Sequence, residues 1–336
     1  MADVYFLDLT KSYRKNIIEM FEQLIDVSDG LKIIDKGRVC AVKLHVGEAG
    51  NVNFVSPHYV KKVTDMIKTA GGSFFLTDTT TLYSGRRHRA DLHIELAKEH
   101  GFNFAPFIVA DGLLGDEYVD TGGAKIASLF RNIDVMICIS HFKGHLNCGF
   151  GGALKNLGMG CASKGGKLEM HSKSKPYIDT EKCTHCQRCL EYCLYKAVVE
   201  KNGDMMIDQA KCTGCCGCMS VCADKAIKFQ WNAASADTQQ GIAKYAARVI
   251  ENKNVFYINF LINIAPNCDC FRTSEPMITP DVGILASFDP VSLDQASYDL
   301  IKGPIDKLHP EVDPQIQIKF AEKNKAGESS YEIRRI

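Results

Sequence analysis

The chain has 336 residues, with 40 basic and 40 acidic side chains. Zero net charge excludes the basic footprint of a nucleic-acid-binding protein. The longest apolar run, 255–265, is short and broken by Asn259 and Asn263, so no segment is expected to span a bilayer.

Apolar runs alternate with amphipathic ones along the first half. Strands are expected at Val4–Leu9, Val39–His45, Ser73–Thr77, Phe107–Ala110 and Ile133–Ser140. Helices are expected at Lys15–Val27, from Ser56-Pro57 to Ala70, and at Arg89–His100. Ser56 suits an N-cap and Pro57 a first helical position. Strand-helix alternation implies an α/β fold with a mostly parallel sheet and flanking helices, whose ligand site lies at the carboxyl ends of the strands. That rule gathers His45, Glu48, Asn51, Asp78, Asp111, His141 and His145. The basic stretch Ser163–Lys175 reads as a linker. After residue 231 come a helix at Thr238–Glu251, strands at Asn254–Asn263 and Gly283–Phe288, and a helix at Pro290–Lys302 capped by Asp289. From about Gly303 the chain is polar and expected to be peripheral.

Residues 183–222 carry the strongest chemical signal. Cys183, Cys186, Cys189 and Cys193 repeat the spacing C-x2-C-x2-C-x3-C, and so do Cys212, Cys215, Cys218 and Cys222. Bacterial ferredoxins hold [4Fe–4S] clusters with this run, the fourth Cys of each run ligating the other cluster. One cluster is therefore assigned to Cys183, Cys186, Cys189 and Cys222, the other to Cys212, Cys215, Cys218 and Cys193. The flanks repeat as well: Tyr177–Lys182 matches Met206–Lys211. Leu194 and Ala223 stand where ferredoxins place Pro, and Cys216 is left as a spare thiol. Zinc held by sets of four thiolates is the competing reading. Residues 176–231 are thus expected to form a ferredoxin-like α+β insert with two [4Fe–4S] clusters, interrupting an α/β domain made of 1–175 and 232–336. Fifteen cysteines in so long a chain, eight of them assigned to clusters, fit a reducing cytoplasm. Met1–Asp8 has no basic leader pattern.

Elsewhere, His141 and His145 with Lys155 are candidate catalytic groups; the plain alternative is a loop packed on the insert. Gly149, Gly151 and Gly152, opening a helix before Lys155, could bind an anionic cofactor through backbone N–H groups, or could form only a structural turn. Cys268-Asp-Cys270 could hold a metal or be two inert thiols. Ser84-Gly-Arg86-Arg87 could grip a carboxylate or phosphate, or be a solvated turn.

Val42–Asn51, Leu76–Tyr83, Ser140–His145, Gly149–Gly158 and Ser287–Asp294 resemble the domain of unknown function 362 family, in its version with a ferredoxin insert. The resemblance implies a cytoplasmic iron–sulfur protein, frequent in anaerobes, with no established reaction. A fainter similarity links His141, Gly151, Gly152 and Lys155 to the nickel-pincer lactate racemase family, with Ala153 interrupting the spacing. The reading is a redox protein relaying electrons through two clusters to a site in the α/β domain. The alternative is a non-catalytic carrier or adaptor docked on a larger complex. The partner is then a redox protein or a small-molecule substrate; a homo-oligomer is compatible with either.

Overall fold

Along Val135–His141 the side chains part in alternation. Val135, Ile137 and Ile139 join one buried cluster, and Met136 and Cys138 join another. Asn254–Leu261 divides the same way, Phe256, Ile258 and Phe260 to one side, Val255, Tyr257 and Leu261 to the other. Strands covered on both faces need apolar residues at every position, which is why they read as unbroken runs.

The computed structural model describes residues 1–11, 16–172, 174–231 and 233–336. Among these, eight strands form one sheet: β1 (Ala2–Asp8), β2 (Val39–Lys43), β3 (Ser73–Asp78), β4 (Phe107–Val109), β5 (Val135–His141), β6 (Asn254–Leu261), β7 (Gly283–Ser287) and β8 (Tyr331–Arg335). Their order is β8-β1-β7-β6-β5-β2-β3-β4. Only β7 runs against the others. The fold is therefore α/β around a mostly parallel sheet.

Helices α1 (Ile17–Val27), α2 (Pro57–Thr69) and α3 (Ala90–Glu99) cover one face through Phe21, Leu24, Val60, Val63, Ile67 and Ala97. The other face is covered by α4 (Ala153–Gly158), α5 (Lys164–His171), α6 (Ser235–Ile250), α7 (Pro290–Leu308) and α8 (Gln315–Lys323). Local chemistry starts several helices. Asn16 accepts from the Ile18 N–H, Ser56 caps α2 ahead of Pro57, and Asp289 accepts from Val291 and Ser292. Lys15, the expected first residue of α1, lies outside the described residues.

Three expectations are corrected. The stretch read as a linker contains α5, with Lys164 and Lys167 buried. Lys164 donates to the His88 carbonyl at 2.6 Å and also to Ser220; Lys167 donates to Thr79 Oγ1 at 2.7 Å. These acceptors let charged heads sit inside, so composition alone misleads there. Lys173 lies outside the described residues. The expected peripheral tail instead supplies α8, whose Ile318 and Ala321 enter the core, and β8, which pairs with β1. Finally, the helix expected to stop at Lys302 kinks at Ile301, whose backbone is non-helical, and a further helical stretch containing Pro304 runs on to Leu308.

Within 176–231, Tyr177–Ile178 pairs antiparallel with Ile227–Lys228, and Val198–Lys201 with Asp204–Ile207. Asn202 and Gly203 both take positive φ in the hairpin between the latter two, as a two-residue turn there requires. Two five-residue helices, Arg188–Tyr192 and Gly217–Val221, complete the segment. Cys189, Val198, Met205, Ile207 and Ile227 form its own buried cluster.

Candidate functional site

The carboxyl edge of the sheet opens into a cavity of about 480 Å³. β2 delivers Lys43 and, just beyond it, His45; β3 delivers Asp78; β5 ends on His141. The hairpin of Lys143–His145 with Gly149–Gly151 adds Lys143 and His145, and α4 adds Lys155 and Asn156. The loop after β6 brings Cys268 and Cys270, and α5 brings Lys167 and His171.

Its wall is a set of ion pairs. Lys43 Nζ lies 3.0 Å from Asp78 Oδ1 and donates to Asn156 Oδ1 at 2.6 Å. Arg87 lies 3.4 Å from Asp78 and 3.6 Å from Glu48. Burial alone would raise the Asp78 carboxyl, but Lys43 leads a group of cations that holds it below the usual carboxylate range. Among the described residues six cations line the cavity: Lys43, Arg87, Lys143, Lys155, Lys167 and Arg272. The lining carboxylates are Glu48 and Asp78. An anion therefore suits the space.

Asp269 is fully buried behind the two cysteines. Its carboxylate faces His141 Nδ1 at 2.8 Å and Lys143 Nζ at 3.1 Å. Burial would raise its pKa, yet His141 and Lys143 outweigh that and hold it low. His141 Nε2 faces the Ile262 and Asn263 carbonyls at 3.0 and 3.2 Å. Both ring nitrogens thus point at acceptors. Lys155 Nζ sits 3.7 Å from Cys268 Sγ. Burial opposes the Lys155 charge, but the Cys268 and Cys270 sulfurs raise its pKa above the ordinary value. A hydrogen bond from Cys270, then Lys155 and Lys143, hold the Cys268 thiol well below its usual pKa against burial. Burial, then Arg87, hold His45 well below its usual pKa, and burial, then Lys155, do the same for His145.

Of the residues that topology gathered, His45, Glu48, Asp78, His141 and His145 line the cavity. Asn51 and Asp111 do not: Asn51 donates to the Phe271 carbonyl, and Asp111 accepts from the Thr80 N–H and Oγ1. Gly151 and Gly152 face the cavity and Gly149 does not. The anion seat expected at the start of α4 is filled from within. The Ala153 and Leu154 N–H groups donate to Asp294 at 2.7 and 2.8 Å, so an external anion would have to displace that carboxylate. The arginine pair divides: Arg86 is bound to Glu99 on the surface, while Arg87 is buried in the wall. Sequence reading passed over Lys143, Lys167 and Asp269. A charged residue between two cysteines was the available signal for Asp269.

Two smaller cavities lie in 176–231. Cys183, Cys186, Cys189 and Cys222 line one. Cys193, Cys212, Cys215 and Cys218, with Cys216, line the other. All fifteen cysteines of the chain are free thiols. The two halves share backbone detail: His185 and Gly214, Gln187 and Cys216, and Lys196 and Lys225 all take positive φ at equivalent places. The Ala197 N–H donates to Cys193 Sγ at 3.3 Å and the Ala226 N–H to Cys222 Sγ at 3.2 Å. The segment is fastened to the sheet domain by Tyr192 OH donating to Asp116 at 2.6 Å, Ser220 Oγ to the Leu114 carbonyl at 2.8 Å, and Lys125 Nζ to the Thr213 carbonyl at 2.8 Å. Leu82, which lines the large cavity, shares a buried cluster with Leu168 and Cys216. Among the described residues no helix is long and apolar enough to cross a membrane.

No curated protein matches the chain. Among solved structures, a lactate racemase apoprotein from Thermoanaerobacterium thermosaccharolyticum is 12% identical, with a TM-score of 0.37 over 78% of this chain and 51% of that one. A structural-genomics target from Thermotoga maritima is 10% identical, with a TM-score of 0.35 over 91% of this chain and 58% of that one. The chain thus spans little more than half the length of either. A family model described as "Domain of unknown function (DUF362)" matches residues 40–299, and the chain belongs to that family.

Proposed function

We propose that this is an iron–sulfur redox protein whose cysteine-rich segment, ferredoxin-like in plan, serves the cavity at the carboxyl edge of the sheet. Cys183, Cys186, Cys189 and Cys222 would hold one [4Fe–4S] cluster, and Cys193, Cys212, Cys215 and Cys218 the second. Such clusters, when bound, take up and release single electrons. The observation that carries the reading is the gathering, around each small cavity, of the three spaced thiols of one run with the fourth thiol of the other. That donor set fits an iron cube: all sulfur, with N–H groups aimed at the exchanged Cys193 and Cys222.

The large cavity favours delivery to a substrate over a bare carrier. Leu82, Leu168 and Cys216 form the apolar partition between it and the second cysteine pocket. Its cation excess selects an anionic substrate, which Lys155 and Arg87 can hold. Asp78 and Asp269 fix the positions of Lys43, Arg87 and Lys143. A redox partner would meet the outer side of the segment, where Cys186 and Leu194 are exposed. A reducing cytoplasm is the compartment consistent with these thiols.

Reconstitution under anaerobic conditions tests the base of the reading. About eight irons and eight sulfides per chain are expected, with Cys222→Ser losing about half and Cys216→Ser losing none. A colourless wild-type sample, or full iron retention in Cys222→Ser, overturns it.

A further inference from the structure

The cluster reading leaves one arrangement in the cavity unused. Cys268, Cys270 and His45 bring their two sulfurs and an imidazole nitrogen to within 4.8 Å of one another. Tetrahedral coordination with metal–sulfur near 2.3 Å and metal–nitrogen near 2.0–2.1 Å sets such donors about 3.5–3.8 Å apart. Rotamer adjustments of a fraction of an ångström to an ångström close the difference. We propose that Cys268, Cys270 and His45 bind one thiophilic divalent transition metal, leaving a fourth position open to the cavity for an anionic ligand.

Three features support a built site over two stray thiols. First, the donors come from separate loops, one after β2 and one after β6, so their meeting is a product of the fold. The buried Cys40 lies instead within a strand among apolar neighbours. Second, the cysteine loop is pinned from behind. Asp269 is held by His141 and Lys143, its carbonyl accepts from the Glu48 N–H at 2.9 Å, and the Phe271 N–H donates to the Cys268 carbonyl at 3.0 Å. Metal ligands are oriented by such outer contacts. Third, Lys155 stands 3.7 Å from Cys268 Sγ, placed to donate to a ligating sulfur and to attract an anion to the open position.

Two sulfurs and one imidazole select zinc-like ions over magnesium or calcium, which prefer oxygen. Three protein ligands leave a coordination position for substrate or water, as in catalytic zinc sites. The Gly47 N–H donates to His45 Nδ1 at 3.0 Å. Metal binding at Nδ1 replaces that bond directly; binding at Nε2 moves the ring proton to Nδ1 and releases the same bond. None of these ligands belongs to the eight cysteines assigned to clusters, so the site stands or falls apart from that assignment.

The test loads cobalt(II) into the full chain after anaerobic iron–sulfide reconstitution and reads the cobalt shell by X-ray absorption at the cobalt edge. The expected result is about one cobalt per chain, with about two sulfur neighbours near 2.3 Å and at least one nitrogen. Cys268→Ser/Cys270→Ser is expected to lose that cobalt at least tenfold in affinity while iron content and circular dichroism stay unchanged; His45→Ala weakens it while keeping the sulfur shell. Absence of bound cobalt in the wild type, a four-sulfur shell, or undiminished uptake by the double variant overturns the proposal. Low iron with a normal two-sulfur cobalt shell would instead count against the clusters alone.

Discussion

The sheet domain and the cysteine-rich segment are stabilised by different means. The sheet carries two extensive apolar clusters, one on each face, and buries whole ion pairs such as Lys43–Asp78 at its carboxyl edge. The segment's own cluster has five buried members, one of them Cys189, with five further cysteines packed partly buried against it. A piece of chain that small cannot build a sufficient core from side chains alone, and small domains of this kind commonly rely on metals or cross-links. With the proposed clusters bound, the thiols would be the segment's scaffold as well as its chemistry, whereas the cavity's polar groups rest on a fold that would exist without them.

The largest expected effect follows directly. Stripping iron from anaerobically reconstituted protein with a chelator should abolish amide-exchange protection across 176–231 while β5 and β6 keep theirs. Equal loss in both regions would end the contrast. Next is Asp294→Ala in the sheet domain. It leaves the Ala153 and Leu154 N–H groups without their side-chain acceptor and takes one of two acceptors from the Asn259 amide, which keeps Ser297 Oγ. A cost of about 3 kcal/mol or more is expected from chemical denaturation, with iron content unchanged. The effect that is smallest at neutral pH concerns alkaline conditions. Burial raises the Cys40 thiol from its ordinary 9.0 to about 12. Above pH 9 the unfolded chain releases that proton and the folded chain keeps it, so its contribution is full below pH 9 and is lost as pH rises toward 12. Cys40→Ala should flatten the fall of stability in that window by about 1.4 kcal/mol per pH unit, measured as denaturation midpoints at several pH values.

What could be read in advance tracks the range over which each cause acts. Cysteine spacing is local, and the sets of four derived from it are those surrounding the two small cavities, with Cys216 added to one. Strands and caps are local too: Ser56 and Asp289 start helices through the next few residues. The cap on α4 is different, because Asp294 is far away in the chain, and no pattern near Gly152 announces it. Lys164 and Lys167 look like solvent-facing linker residues until acceptors at His88, Thr79 and Ser220 are brought around them. The polar tail hides an edge strand because half-exposed strands have little apolar signature. The cavity's side chains were partly foreseen from strand ends. Asp269 and Lys143 needed the tertiary pairing of loops to reveal them.

The crossing of cysteines between the two runs bears on how the protein is made. A chain leaving the ribosome exposes Cys183, Cys186 and Cys189 well before Cys222 emerges, so the first pocket stays one sulfur short until translation has passed the second run. Neither pocket can be completed by its own half, so assembly of the proposed clusters would follow synthesis of the whole repeat.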